Sequence, residues 1–391
     1  MSKYFIANIG SASKKYALFD DAQAILSLHF EHAGGSYQVT ISDDEGLHST
    51  PIDEAEFVRS LARSLIEITS RSLISGPDDI TAIGLRIVAP GTFFQEHKKI
   101  DTTYIAKLEQ LRSEEPLHIG PILTELHAIT ARFPDTPVFG LSDSAFHAQL
   151  PEHTRSYAID KETSRAFDVA RFGYHGFSFA SAMQNLQRHG AHSEKVIICH
   201  LGSGVSIAAV KDGACIDTSM GFSPLEGLVM ATRAGDIDAG ALMHIARGKN
   251  LTLDELEQYL YTECGLLGLS GKTGDVRALL ELESSGDAGA VLALDTFVYR
   301  IRKFIGAYAA ILGGVDTLVL TGTIGERSSV IRERICVGLD FLGISLDRDK
   351  NSGAMPVNGI LEIGAARTRV LAMRSDEMGE MAKAVDTLSH S

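Results

Sequence analysis

The chain contains few of the residues that mark secreted, metal-binding or membrane proteins. Among its 391 residues there are no tryptophans and only four cysteines, Cys199, Cys215, Cys264 and Cys336. The cysteines are scattered, with no C-x-x-C pair and no histidine at zinc-site spacing, which predicts buried thiols in a reducing compartment. The longest apolar region, 290–315, is interrupted by charged residues and predicts a core helix, not a membrane span.

Basic residues are also in the minority. Lysine and arginine total 36 against 50 acidic residues, giving a formal net charge of −14. This balance excludes nucleic acid as a generic partner, because phosphate backbones favour basic surfaces, but it permits a small anion in a local basic pocket. The N-terminus runs into a short strand, 5–9, with no signal-peptide pattern, so we expect a cytoplasmic protein without a membrane partner.

The most informative pattern is a repeated hairpin motif. Residues 200–213 read as an apolar strand, a Gly/Ser turn, a second strand and an acidic stop, and residues 8–20 are a weaker copy. Such a turn exposes backbone N–H groups and hydroxyls, which suits a phosphate. Either motif alone is most simply a structural hairpin. Two copies predict two related half-domains that bind one polyphosphate.

The length of the chain and the positions of its proline, glycine and polar segments predict its domain organisation. Its 391 residues favour two domains, with the polar segment 151–165 as the boundary. We expect a helix beginning at Thr50-Pro51 and running to about Leu73, a loop over 116–121, and a frayed tail after Arg374. Buried strands are predicted over 80–88, 137–141, 195–200 and 317–321, the last opening through a glycine turn into a helix.

Four polar residues stand out as candidates for chemistry, each with a simpler structural alternative. Asp143 follows a buried strand, where reactive groups collect in layered α/β folds, but it could cap a helix. Arg86 lies in an apolar strand, where a charge needs a partner, so it could form a buried salt bridge or bind an anionic substrate. His175 and Arg233 lie in glycine-containing loops, where surface exposure is the default. Together they match phosphoryl transfer, which needs positioning and charge neutralisation rather than covalent help.

Sequence motifs narrow the class of phosphotransferase. The chain has neither the G-x-x-x-x-G-K-[ST] loop nor a His-Arg-Asp catalytic loop, so P-loop enzymes and protein kinases do not fit. The segments Cys199-His-Leu-Gly-Ser-Gly204, Asp217-Thr-Ser-Met-Gly-Phe-Ser-Pro-Leu-Glu-Gly227 and Thr232-Arg-Ala-Gly-Asp-Ile-Asp238 are closely similar to acetate kinases. Shorter motifs across nearly the whole chain follow in the family's order. The chain is thereby identified as a divergent member of the acetate kinase family.

The resemblance implies a duplicated actin-like, ribonuclease H-like α/β fold with the nucleotide cleft between domains 1–148 and 149–369, a tail 370–391 on the first domain, and a homodimer. It implies reversible transfer of the ATP γ-phosphoryl to acetate, giving acetyl phosphate and ADP. Asp143, His175 and Arg233 would be catalytic, Arg86 would bind the carboxylate, and Asn8 would help hold Mg²⁺. The nucleotide would be bound by Ser11, Ser13, Lys15, His200, Leu201, Gly202, Ser203, Gly204, Asp275, Val276, Arg277, Gly322, Thr323, Ile324, Gly325 and Glu326.

Departures from the family pattern bear on activity. The sequence has Ala89-Pro-Gly91, Gly202-Ser-Gly-Val205, Ile119-Gly120 and Gly322-Thr-Ile-Gly-Glu-Arg327 where the family has other residues. Ala366-Arg367-Thr368 is interpreted as replacing an Asn-Glu-Glu whose glutamate binds Mg²⁺, which would alter the metal site. Two alternatives remain open: a kinase for propionate or another short acid, and a nucleotide-binding regulatory protein with little turnover.

Overall fold

The structure is a computed structural model that describes residues 2–10, 13–33, 35–112, 116–190, 193–353 and 359–390. Its strands are β1 (Lys3–Ile9), β2 (Ser13–Asp20), β3 (Gln23–Ala33), β4 (Ser36–Asp43), β5 (Gly46–Ile52), β6 (Ala82–Ile87), β7 (Lys98–Lys99), β8 (Val138–Ser142), β9 (Lys195–Leu201), β10 (Val205–Lys211), β11 (Ala214–Thr218), β12 (Thr317–Thr321), β13 (Ile360–Glu362) and β14 (Arg369–Met373).

The helices, in chain order, are α1 (Glu54–Val58), α2 (Ser60–Ser70), α3 (Thr102–Leu111), α4 (Pro116–Arg132), α5 (Glu152–Arg155), α6 (Lys161–Ala166), α7 (Gly176–Arg188), α8 (Ala239–Lys249), α9 (Leu253–Thr262), α10 (Gly265–Ser270), α11 (Val276–Ser284), α12 (Ala288–Leu312), α13 (Gly322–Arg327), α14 (Ser329–Cys336), α15 (Arg348–Asn351) and α16 (Glu377–Ser389). In the described part of the chain, no helix is both long and apolar enough to span a bilayer.

The chain divides into two compact units. The first comprises Met1–Ala145 and Asp376–Ser391, and the second comprises Phe146–Ser375. The sequence predicts a tail on the first domain from residue 370, but β14 pairs in parallel with β12 in the second unit, so residues up to Ser375 belong there. The polar segment 151–165 likewise lies inside the second unit, where it forms α5 and α6.

The first unit is built on a sheet with strand order β5-β4-β3-β2-β1-β6-β8-β7. Strands β1, β2 and β3 form an antiparallel meander, and β1, β6 and β8 run parallel. The central strands are apolar and buried on both faces, as expected for parallel strands covered by helices. The partly buried exception on β6 is Arg86, which lies near the carboxyl end of the strand.

The second unit repeats this arrangement. Its sheet has the order β11-β10-β9-β12-β14-β13, in which β9, β10 and β11 form an antiparallel meander and β9, β12 and β14 run parallel. The meander β1-β2-β3 thus corresponds to β9-β10-β11, β6 to β12, and β8 to β14. Both predicted hairpins are confirmed, and the weak sequence repeat reflects a repeated sheet.

Three local predictions were wrong. Residues Gly46–Ile52 pair with β4 as a strand, and the first helix begins after Asp53, whose side chain accepts a hydrogen bond from the Glu56 amide. The predicted loop at 116–121 is the start of α4: proline suits the first helical turn, and apolar residues after it are buried. The tail predicted to fray forms α16, which buries Met381, Ala382 and Val385 in the first unit.

Candidate functional site

The first unit places three predicted site residues at one edge of its sheet. Asn8 lies near the end of β1, Arg86 near the end of β6, and Asp143 directly after β8. Because the three strands are parallel neighbours, their carboxyl ends meet at the same edge, where ligands bind in open α/β sheets. Asp143 was selected from the sequence because it follows a buried strand. The same position at a strand end places Asn8 and Arg86 next to it.

Arg86 joins these residues through a forked set of hydrogen bonds. Its Nε donates to Asp143 Oδ1 at 3.0 Å and its Nη2 to Asp143 Oδ2 at 2.8 Å, while Nη1 donates to Asn8 Oδ1 at 3.0 Å. Asp143 is 1% exposed, so this bidentate pair is shielded from water. Burial opposes the charge of Arg86, but the carboxylates of Asp143 and Glu377 together outweigh it and raise the pKa of Arg86. Arg86 thus forms a buried salt bridge with Asp143, and its role as an anion clamp stays a prediction.

Two further groups of the first unit lie beside this fork, and the sequence analysis missed both. The Glu377 carboxylate, in the first turn of α16, lies close enough to Arg86 to contribute to its raised pKa. His97 Nδ1 accepts a 3.0 Å hydrogen bond from the Ser142 amide, next to Asp143, and burial lowers the pKa of His97. The signal for Glu377 was its position after β14, at the start of a capped amphipathic helix.

The hairpin between β1 and β2 holds the other predicted residues of the first unit. Lys15 pairs with Asn8 across the two strands, and Ser13 Oγ lies 2.8 Å from His29 Nε2 on β3. Ser11 lies outside the described residues. Burial, followed by the charge of Lys15, lowers the pKa of His29 to about 4, so this histidine is neutral near pH 7. Lys15 thus adds a positively charged residue across from Asn8 at this turn.

The second unit places two histidines against its own Gly/Ser turn. His175 precedes α7 in a left-handed conformation (φ 59°), and its ring stacks on the ring of His200 at 4.3 Å between centroids. His175 Nδ1 lies 2.8 Å from Ser206 Oγ, and His200 Nδ1 lies 2.8 Å from Ser178 Oγ. The His175 ring is therefore held at a defined place, and the surface-loop alternative does not describe it.

Gly204 lies directly against the His175 ring. A β-carbon at Gly204 would lie 3.0 Å from His175 Nε2, 3.1 Å from His175 Cε1 and 3.8 Å from Arg233 Nη1. Arg233 Nη1 donates a 3.0 Å hydrogen bond to the Pro224 carbonyl, and the guanidinium lies over the Tyr261 ring at 5.7 Å. The structure thus brings His175, Arg233 and the turn 201–204 together, as the phosphoryl-transfer hypothesis requires.

The remaining predicted loops of the second unit meet at this turn through close backbone contacts. The Ala231 amide donates to the Ser203 carbonyl, and a β-carbon at Gly274 would lie 2.4 Å from the Ala231 carbonyl oxygen. A β-carbon at Gly322, where φ is +75°, would lie 2.7 Å from the carbonyl oxygen of Leu201. Only glycine permits these approaches, which is the physical reason for a glycine at positions 274 and 322.

The loops that follow these glycines are the N-termini of two helices. Asp275 caps α11 by accepting from the Arg277 and Ala278 amides, while Val276 is buried and Arg277 is exposed. Gly322, Thr323, Ile324, Gly325 and Glu326 form most of α13, directly after β12 as predicted. The buried Arg332 guanidinium donates to the Gly325 and Glu326 carbonyls at 3.0 and 2.9 Å, which fixes the end of that segment.

In the segment interpreted as replacing a metal ligand, Thr368 is hydrogen-bonded to the backbone of the fold. Thr368 is fully buried, and its hydroxyl lies 2.9 Å from the Val315 carbonyl oxygen and 2.8 Å from the Leu342 carbonyl oxygen. Arg367 is exposed on the loop before β14. Neither side chain belongs to the unit that contains Asn8. Within the described ranges, no cluster of three histidine, cysteine or acidic side chains could by itself hold a metal ion.

The repeated sheets define the class of this protein: a duplicated actin-like α/β protein with a polar constellation at the strand ends of each repeat. Comparison with known proteins makes the assignment specific. The profile of the Acetokinase family matches residues 3–383, and the chain belongs to that family. An acetate kinase of Coprothermobacter proteolyticus is 36% identical over 395 residues, covering 98% of each chain.

Solved structures agree with this assignment. The Porphyromonas gingivalis acetate kinase matches with a TM-score of 0.85 at 30% identity, covering 99% of this chain and 100% of that one. A propionate kinase from Francisella tularensis matches with a TM-score of 0.87 at 30% identity and the same coverage. The predicted family and the predicted duplicated fold are confirmed. The roles assigned to individual residues stay predictions.

Proposed function

We propose that this protein transfers the γ-phosphoryl group of ATP reversibly to acetate, forming acetyl phosphate and ADP. The observation that carries the proposal, given the family, is the Arg86–Asp143 fork at the carboxyl edge of the first sheet. Three N–H groups of Arg86 are engaged by Asp143 and Asn8 in the described part of the chain. Its remaining N–H groups can bind the substrate carboxylate, so the salt bridge aligns the anion clamp.

The chemistry follows from these groups. A carboxylate oxygen of acetate forms a bond to the γ-phosphorus while the bond from that phosphorus to the bridging oxygen of ADP breaks, and the electron pair leaves with ADP. Arg86 would hold and orient the acceptor, with Asp143 fixing the guanidinium. His175 and Arg233 would donate hydrogen bonds to the transferring oxygens, where charge is spread in the transition state. No covalent enzyme intermediate is needed.

Nucleotide binding is assigned to the turns that meet in the second unit. The turn 201–204 offers backbone N–H groups, and the N-termini of α11 and α13 add helix-end dipoles. In the first unit, Lys15 and Ser13 of the β1–β2 turn would contact phosphates. This assignment is supported by the glycines at 274 and 322, where a β-carbon would meet a backbone carbonyl oxygen, and at 204, where it would press on the His175 ring.

The residues present in the first unit fit a magnesium ion. Mg²⁺ prefers oxygen ligands and is held by one or two carboxylates together with phosphates and water. Asn8, Asp143 and Glu377 supply such oxygens around Arg86. We therefore propose that Glu377, and not the segment at Arg367 and Thr368, corresponds to the family's metal-binding glutamate. The ion would neutralise phosphate charge, and on this proposal the metal site keeps its carboxylate.

We further propose a homodimer in the cytoplasm. Helix α8 has no buried residue, and its Met243 and the preceding Ile237 are exposed large apolar side chains. A second copy of the chain would cover such a surface. All four cysteines are free thiols, three of them buried, which suits a reducing compartment.

A coupled assay that follows ADP in the presence of ATP, Mg²⁺ and acetate, propionate or butyrate tests the proposal. We expect turnover with acetate and detection of the acyl phosphate as its hydroxamate. The match to a propionate kinase gives propionate as the second candidate substrate. One methylene in an apolar pocket changes selectivity by roughly 10–200-fold, so the ratio of kcat/KM values decides between the acids. ATP binding without acyl phosphate from any acid would identify a nucleotide-binding regulatory protein instead.

A further inference from the structure

We propose that the Tyr174 hydroxyl is a positioning group for phosphoryl transfer, because it ties the loop that carries His175 to the loop that leads to Arg233. The inference rests on the proposed function. Tyr174 immediately precedes His175 and is 1% exposed. Its hydroxyl donates a 2.5 Å hydrogen bond to the carbonyl oxygen of Phe222, 48 residues away in the chain.

The backbone at Tyr174 is held by a buried histidine. The Tyr174 carbonyl accepts a 3.1 Å hydrogen bond from Nε2 of His147, which is fully buried. A β-carbon at Gly173 would lie 2.5 Å from the His147 ring, so the backbone before Tyr174 rests directly on the imidazole. The backbone from which the Tyr174 side chain extends is thus held by a neighbour in the second unit.

The other end of the link is a loop that is held at several backbone atoms. The Gly221 carbonyl accepts from the Phe172 and Gly173 amides, and the Phe222 amide donates a 2.9 Å hydrogen bond to the Tyr157 hydroxyl. With the Tyr174 hydroxyl on its carbonyl, Phe222 is anchored on both sides of its backbone. The segment 221–222 therefore has a fixed position relative to residues 172–174.

This anchored segment continues into the contact that holds Arg233. Two residues after Phe222, the Pro224 carbonyl accepts the hydrogen bond from Arg233 Nη1 at 3.0 Å. A shift of Phe222 is transmitted through one intervening residue to Pro224 and hence to the guanidinium. The hydrogen bond from the Tyr174 hydroxyl ends on the Phe222 carbonyl, so the role we assign to this hydroxyl is to position Arg233 and His175.

Replacing Tyr174 by phenylalanine separates the hydroxyl from the packing of the ring. Tyr174→Phe keeps the buried ring but removes the donor to the Phe222 carbonyl. Loss of this buried hydrogen bond would displace Arg233, and we expect kcat to fall by about tenfold. The KM for ATP and the thermal midpoint should stay near their wild-type values. Tyr104→Phe is the matched control, since the buried Tyr104 hydroxyl has no hydrogen-bond partner among the described residues. We expect Tyr104→Phe to retain wild-type kcat.

A double-mutant cycle with Arg233→Ala distinguishes positioning from general support of the fold. If the Tyr174 hydroxyl acts through Arg233, Tyr174→Phe lowers kcat by less than about twofold in the Arg233→Ala background. A full tenfold loss in that background, or wild-type kcat in the single variant, would overturn the proposal.

A readout without turnover separates this inference from the proposed function. In protein with ¹⁵N-labelled arginine, the Arg233 Nε resonance, assigned by its loss in Arg233→Ala, is expected to shift in Tyr174→Phe and not in Tyr104→Phe. An unmoved resonance would contradict the positioning role even in a chain that phosphorylates no acid. A wild-type chain without turnover but with the expected shift would remove only the proposed function.

Discussion

Alanine at Gly204 would test whether the second Gly/Ser turn is part of the catalytic site. The new β-carbon would lie 3.0 Å from His175 Nε2, whereas ordinary contact begins at 3.4 Å, so the ring must move by about 0.4 Å. The ring cannot move freely, because it is hydrogen-bonded to Ser206 and stacked on His200. Since a misplacement of about 1 Å costs roughly 100-fold in rate, a shift of this size predicts a kcat about five- to tenfold lower.

The assay is the initial rate of acetyl phosphate formation at saturating ATP and acetate, together with the thermal midpoint of each variant. Gly204 has no left-handed backbone angle, so Gly204→Ala should fold normally. Gly306→Ala on α12 is the matched control, because a β-carbon there meets no atom within 4 Å. Wild-type kcat in folded Gly204→Ala would refute the argument that His175 acts from this position. A rate loss that only follows a loss of folded protein would do the same.

Two further predictions concern the metal site and pH. Glu377→Gln removes an anionic oxygen beside Arg86, so the Mg²⁺ concentration for half-maximal rate should rise about tenfold. Replacing the exposed Arg367 by alanine should leave that concentration unchanged. The opposite pattern would restore the assignment to residue 367. The pKa of His29 falls from 6.5 to about 4 on folding. Between pH 7 and pH 5 this histidine therefore takes up a proton in the unfolded chain but not in the folded chain, so the free energy of unfolding should decrease as the pH falls. His29→Gln should flatten this dependence in thermal melts, and an unchanged slope would contradict it.

Sequence reasoning identified the parts of the site that depend on local pattern. Asp143 was found because it follows a buried strand, and the turns at 201–204 and 322–326 because glycines follow apolar runs. Parallel strand pairing then accounts for the meeting of Asp143 with Asn8 and Arg86, since strand ends share an edge. The family resemblance supplied the roles, but the fold alone explains why these residues are neighbours.

The features that sequence reasoning missed depend on contacts between distant segments. The hydrogen bond from Tyr174 to Phe222 has no local signal, because it joins two loops through a tertiary approach. Glu377 was overlooked because the polar segment after Arg374 was expected to fray. The apolar residues of that segment nevertheless recur at helical spacing, and as part of α16 they pack in the first unit. The start of α4 was misread because proline ends helices in their interior but favours their first turn.

The most direct test of the central claim is a ³¹P NMR time course of the wild-type protein with ATP, Mg²⁺ and acetate. Direct phosphoryl transfer to a carboxylate predicts that acetyl phosphate and ADP appear in equal amounts, and that acetyl phosphate with ADP regenerates ATP. Inorganic phosphate and ADP without an acyl phosphate signal, or no consumption of ATP, would contradict the claim that this chain is an acetate-phosphorylating enzyme.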